Sequence, residues 1–151
     1  MSQMRREQAW LLVGLAVVGL VASACGGAPA DAADEPAVVV EAIEGTDLKQ
    51  VVLSEMAAGR LGIETVPVRE ELIDGARRLV IPYSAVLYDA QGAAWAYVNP
   101  EGRVFQRHAI VVDRITGDRA LLLEGPPVGI AVATVGVAEM WGAETGVGGG
   151  H

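Results

Sequence analysis

The stretch LVIPYSAVLYDAQGAAWAYVNPEGRVFQRHAIVVDRITGDRALLLEGPPVGIAVATV, Leu79 to Val135, decides the fold. It is a train of short valine-rich runs: Leu79 to Tyr88, Ala93 to Val98, Val104 to Val112, Ala120 to Leu123 and Ile130 to Val135. Residues that turn a chain stand between them. Asp89 to Gly92, Asn99-Pro100-Glu101-Gly102 and Thr116-Gly117-Asp118 supply positive φ or preset a turn, and Gly125-Pro126-Pro127 with Gly129 makes a longer break. Turn signals every ~8 to 12 residues between short β-favouring runs predict an antiparallel sandwich or a small barrel. No interval is long enough for the crossover helix that parallel strands need.

Upstream, Val51 to Leu53 is β-favouring, and Ser54 opens Glu55-Met56-Ala57-Ala58 with Gly62 beyond, the pattern of a short helix capped by serine and closed by glycine. Ile63 to Val68 returns to alternation, with Pro67 marking an edge strand. Arg69 to Asp74 reads as charged loop, and the adjacent Glu70 and Glu71 as solvated charge without a shared proton. Downstream, Val137 to Trp141 predicts one closing helical turn, and the glycine-rich Gly142 to His151 a loose end. The expected fold is mainly β, a small antiparallel β-barrel or β-roll over residues 46–142 with one short helix, then a tail over 143–151.

The beginning of the chain differs in kind. Arg5 and Arg6 precede an apolar run from Ala9 to Val21, and the small residues Ala22, Ser23 and Ala24 lead to Cys25, the order of a helical signal peptide over residues 1–24. A membrane span needs ~20 apolar residues, more than Ala9 to Ala24 provides before Gly26 and the acidic residues that follow. Ala22-Ser23-Ala24-Cys25 resembles the lipobox of bacterial lipoproteins, with Ala22 where leucine is usual. That resemblance implies that Cys25 is acylated and becomes the amino terminus, since a thiolate is nucleophilic enough to take a lipid. Two or more acyl chains anchor a protein stably, where one holds it marginally. Residues 25–45 are then the lipidated cysteine and a flexible tether, its Gly26 to Pro36 part lacking any apolar period.

From Cys25 onward there are nine basic and eighteen acidic residues. Such a surface repels phosphate backbones and anionic lipid heads, so nucleic acid is excluded as a partner. A single cysteine precludes an intramolecular disulfide, leaving apolar packing to hold about 125 residues together. His108 lies within a strand run and His151 is terminal, so no imidazole pair has metal-ligand spacing. Ser2 and Ser23 belong to the leader, and neither Ser54 nor Ser84 sits in a nucleophile elbow. The residues give no catalytic set, no metal set and no cofactor fingerprint.

Val80-Ile81-Pro82-Tyr83-Ser84-Ala85-Val86-Leu87 resembles the V-P-x-x-A-V segment of the periplasmic adaptors, or membrane fusion proteins (HlyD-like), of RND-type efflux pumps. The family's order continues through Gly92 with Trp95-Ala96-Tyr97-Val98, then Val104 to Val112, then Leu123-Glu124-Gly125-Pro126-Pro127-Val128-Gly129, and finally Ala131 to Gly136. The resemblance covers Leu79 to Gly142, with Val51 to Val68 similar to the opening strand and helix of such adaptors. It implies the membrane-proximal β domain of a non-catalytic accessory, exported and lipid-anchored through Cys25. An RND-type transporter or a larger adaptor subunit would be its partner, met through strand edges or the Trp95 and Tyr97 face, with homo-oligomers possible. The chain departs from that family in one large respect. Adaptors insert a lipoyl-like domain and a long helical hairpin before V-P-x-x-A-V, where only Arg69 to Leu79 stands here, and no heptad pattern occurs. The alternative is an exported lipoprotein holding a small ligand or metal ion in a barrel pocket, which rests on fold analogy.

Overall fold

A computed structural model describes residues 35–147. The leader, Cys25 and the first part of the tether lie outside the described residues, as does the last part of the tail. In chain order the elements are β1 (Val38–Ala42), β2 (Lys49–Leu53), α1 (Glu55–Leu61), β3 (Thr65–Pro67), β4 (Arg69–Ile73) and β5 (Ala76–Pro82). A 3-10 turn (Tyr83–Ala85) leads to β6 (Leu87–Tyr88), β7 (Ala94–Glu101), β8 (Val104–Thr116), β9 (Arg119–Glu124), β10 (Ala131–Ala133) and α2 (Val137–Thr145). Every strand pairing is antiparallel, in the order β3-β10-β7-β8-β9-β5-β4, with β2 also on β8, β1 on β2 and β6 on β7. The mainly β antiparallel architecture is the expected one, and the closing helical turn expected at Val137 to Trp141 is the first part of a second helix, α2.

Local chemistry accounts for the elements. The Ser54 hydroxyl accepts from the Ala57 amide at 3.1 Å, and Gly62, at φ 60°, closes α1 by donating to Ala58 and Gly59 carbonyls. β3 is an edge strand, as Pro67 predicts. Arg69 to Ile73 is a strand and not the expected loop. Asp74 (φ 53°) and Gly75 (φ 80°) form the two-residue turn between Ile73 and Ala76 that joins β4 to β5. Asp-Gly with both φ positive matches the right-handed twist of its flanking strands, which overrides the high charge of β4. β1 begins just after the Gly26 to Pro36 stretch that lacks an apolar period, because Val38 to Ala42 finds a full register on Leu53 to Lys49.

β8 is the hinge of the sheet. Its first half pairs with β7, its second half with β9, and register shifts around Val111 to Arg114 bend it between them. Folding the sheet over this bend gives β7 a core on each face. Ala96 and Val98 pack with Ile81, Ala120, Leu122, Ile110, Val68 and Val132 between the sheet halves. Tyr97 packs on the other face with Val51, Leu53, Phe105, Ala133, Val137 and Met140, beneath the two helices. The space that a barrel pocket would need is therefore filled by side chains.

α2 runs to Thr145, past Gly142, where the chain was expected to loosen. Val137, Met140 and Glu144 are its buried residues, one helical face at spacings of three and four. That face docks on the core around Tyr97, which is why the helix persists for nine residues.

Candidate functional site

The most chemically specific group of side chains is built where α2 meets β7 and β8. Odd-numbered positions of β7 point toward the helix, so Trp95 and Tyr97 share a face, and the register places Arg107 of β8 opposite Tyr97. Glu144 comes down from the last turn of α2. Its carboxylate accepts the Tyr97 hydroxyl at 2.5 Å and the Arg107 Nε–H at 2.8 and 2.9 Å to its two oxygens. Glu144 is 4% exposed, a carboxylate tolerated in the interior only because a cation and a hydroxyl satisfy it. The Arg107 guanidinium also lies between two indoles, 4.6 Å from the Trp95 ring centre and 4.8 Å from that of Trp141. Burial, and then the bond to Glu144, push the Tyr97 hydroxyl far above the ordinary phenol range. It is a donor and not a base.

Beside this clasp, Asp89 accepts the Trp95 indole N–H at 2.9 Å and the amides of Gln91 and Ala93. The indole bond is the main cause holding the Asp89 carboxyl below the usual carboxylate range; desolvation opposes it, and backbone donors add to it. It fixes the β6 to β7 turn and the outer wall of the Arg107 sandwich.

These contacts lock α2 to the sheet and leave no open, reactive group. Every buried side-chain nitrogen and oxygen among the described residues has a partner. Sequence reasoning missed Glu144 because it was assigned to the loose tail. The spacing of Val137, Met140, Trp141 and Glu144 was the available signal.

Tyr97 is fully buried, which removes it from the contact face proposed with Trp95; Trp95 keeps only partial exposure. His108 is half-buried with Nδ1 2.8 Å from the Ala109 carbonyl oxygen. Glu70 and Glu71 project to opposite faces of β4 and meet Arg77 and Arg119. No group of three His, Cys, Asp or Glu side chains that could hold a metal ion occurs among the described residues. A cleft of about 290 Å³ lies at the start of α1, lined by Glu35, Pro36, Ala37, Ser54, Met56, Ala57 and Arg60, outside the folded sheet. No helix among the described residues is long and apolar enough to cross a membrane.

What remains outward are strand edges and scattered apolar side chains. β1, β3, β4 and β6 each pair on one side only. Leu72 at the tip of the β4 to β5 hairpin is 73% exposed, and Met56 of α1 60%.

No family profile matches the chain, and no curated protein is significantly similar to it. Among solved structures, it is similar to a 180-residue piece of SilB from Cupriavidus metallidurans CH34 that encompasses an N-terminal metal-binding site and the membrane proximal domain. The identity is 21%, the TM-score 0.42, and the match covers 62% of this chain and 59% of that one.

Proposed function

We propose that this chain is a non-catalytic, lipid-anchored accessory of a transmembrane efflux transporter, a reduced relative of the RND-type periplasmic adaptors. The observation that carries the reading is the placement of the ordered motif series on one antiparallel domain. Val80 to Leu87 becomes β5, the 3-10 turn and the start of β6; Trp95 to Val98 lies in β7, Val104 to Val112 in β8, and Ala131 to Gly136 spans β10 to the start of α2. The first β-segment delivers Ala85, 0% exposed, to the core between the sheet halves, and the last delivers Val132 to that core and Ala133 to the one around Tyr97, both also 0% exposed. The motif residues are thus the ones on which packing depends.

Under this reading Cys25 carries acyl chains, the residues after it span the distance from the membrane surface, and the β domain meets a transporter or a larger adaptor subunit. Binding energy would come from backbone edges and a few apolar anchors. The filled space between the sheet halves gives no support to the alternative of a ligand-holding barrel.

Two measurements test the proposal. Cys25→Ser should release the chain from membranes while leaving its far-ultraviolet circular dichroism unchanged. Affinity purification from gently solubilised membranes should recover a transporter or adaptor subunit with the wild-type chain. Recovery of a free chain alone would sink the adaptor reading, and unchanged membrane attachment of the serine variant would sink the lipid anchor.

A further inference from the structure

The four strands that pair on one side only, β1, β3, β4 and β6, are not equivalent, and β6 (Leu87–Tyr88) is only two residues long. β4 carries Arg69, Glu70 and Glu71 along its free edge region, and β3 is three residues long and ends in Pro67. Charge, shortness and proline are the usual devices that keep another strand from adding. β1 is five residues long, and its half-buried Val38-Val39-Val40 run has neither charge nor proline, its one charge being Glu41 near the far end. Among the described residues nothing pairs with its outer side.

The free hydrogen-bonding groups of β1 can be assigned. The Ser54 amide donates to the Ala37 carbonyl at 3.0 Å, and the Ile43 amide to the Leu48 carbonyl at 3.1 Å. In an antiparallel pair, hydrogen-bonded positions alternate, so Ala37, Val39, Glu41 and Ile43 bond inward to β2. The N–H and C=O groups of Val38, Val40 and Ala42 therefore face outward, a template two residues in period for a further strand.

Charge narrows what would fill it. Glu35, Glu41, Glu44 and Asp47 flank β1 along the strand and its turn to β2. None belongs to an ion pair among the described residues, whereas four of the five ion pairs there lie on β4, β5, β8, β9 and the turn at Asp74. A second copy of the same acidic edge would bring like charges together. A strand bracketed by lysine or arginine would be steered in and held.

From this we infer that the outer edge of β1 is a strand-addition site for an extended segment of a partner protein, with alternating β-branched residues between basic ends. The segment continues the sheet β8-β2-β1 by backbone bonds to Val38, Val40 and Ala42. This inference stands apart from the transporter reading, because a peptide tests the edge and membrane co-purification tests the partner's identity.

The probe is the synthetic peptide KVTVTVTK, compared with EVTVTVTE and with a KVTVTVTK analogue N-methylated at alternate residues on one edge. Binding to the full chain is read by fluorescence anisotropy and by amide exchange. We expect the lysine peptide to bind at least about tenfold more tightly than the glutamate peptide, a difference of one rim charge pair or two, and to weaken as salt is added. Protection should appear at the Val38, Val40 and Ala42 amides, and the N-methylated analogue should not bind. Val40→Pro should abolish binding by removing an outward donor. Glu44→Lys with Asp47→Lys, in the turn and outside the paired register, leaves Glu35 and Glu41 against two lysines and should instead erase the peptide preference with the sheet intact. Equal binding of all three peptides, or shifts confined to other strands, overturns the inference. So does protection of the outward amides without peptide, whether independent of concentration, which assigns the edge to the chain's own N-terminal segment, or rising with it, which assigns it to a second copy.

Discussion

Replacing Glu144 with alanine should be the most damaging single truncation of a polar side chain in the domain. The substitution leaves the Arg107 guanidinium and the Tyr97 hydroxyl facing each other with no acceptor between them. Breaking a buried ion pair by removing one partner costs ~3 to 5 kcal/mol, and an orphaned buried hydroxyl ~1 to 3 kcal/mol. Two features reduce the sum. The Arg107 side chain keeps 14% exposure, so water can reach it, and its two indole neighbours remain in place. The net expectation is ~3 kcal/mol, which at ~4 °C per kcal/mol lowers Tm by roughly 12 °C. Glu144→Gln keeps an acceptor of the same shape and should cost about half as much. Urea unfolding of the purified chain, with the slope unchanged, measures both. A double variant, Arg107→Met with Glu144→Leu, should be more stable than Glu144→Ala, because it removes the charges together. If Glu144→Ala costs less than ~0.5 kcal/mol, the value of an ordinary surface change, the clasp does not hold α2 and the reasoning fails.

Other residues give independent tests. Tyr97 holds its proton in the folded chain to a higher pH than in the unfolded one, so above the unfolded phenol value of ~10 the unfolded state binds fewer protons and stability must fall as pH rises; Tyr97→Phe should flatten that alkaline limb. Asp89 is shifted the other way, so its contribution is present above the unfolded value of ~3.9 and lost as pH falls through the lower folded one. Trp95→Phe removes the indole donor and should raise the Asp89 pKa in a carboxyl NMR titration, while Tyr88→Phe should leave it unchanged. Gly136, at φ 84°, precedes α2, and the Ile63 Cδ1 occupies the place where a Cβ would stand. Gly136→Ala should cost ~2 kcal/mol by denaturant unfolding, and adding Ile63→Ala should restore the steric part but not the backbone part. Ser54→Ala should cost ~1 kcal/mol, and a loss below a few tenths would mean that α1 is held by packing alone.

The sequence disclosed elements in proportion to how local their causes are. α1 was legible because its cap, its glycine stop and its small-residue face all lie within Ser54 to Gly62. The strands between Leu79 and Val135 were legible from turn residues, though Asn99 to Glu101 continues β7 through a register shift before turning at Gly102. β4 was obscured by Arg69, Glu70 and Glu71, although the two carboxylates are paired across strands by Arg77 and by a residue as far away as Arg119. The Asp74-Gly75 turn was the better guide. Glu144 was obscured for a related reason. A carboxylate in a glycine-rich stretch reads as solvent-facing until Tyr97 and Arg107, 47 and 37 positions away, are brought beneath it. Long-range polar pairing is what composition and period cannot supply.

That pairing also explains where the acidic excess resides. On the β4, β5, β8 and β9 side, Arg77, Arg78, Arg114 and Arg119 meet Glu70, Asp113, Asp74 and Glu71. Exposed pairs of this kind contribute ~0 to 1 kcal/mol each, too little to be the reason the fold stands. Their larger effects are to cancel the field of that half and to leave β4 an unattractive edge for another strand. The uncompensated carboxylates then lie chiefly beside β1 and the helices, on the side whose edge is valine-rich. An approaching basic segment is attracted toward the one edge that can pair with it, and turned away from the edges that cannot. Charge placement and backbone availability select the same strand, although they arise from different residues.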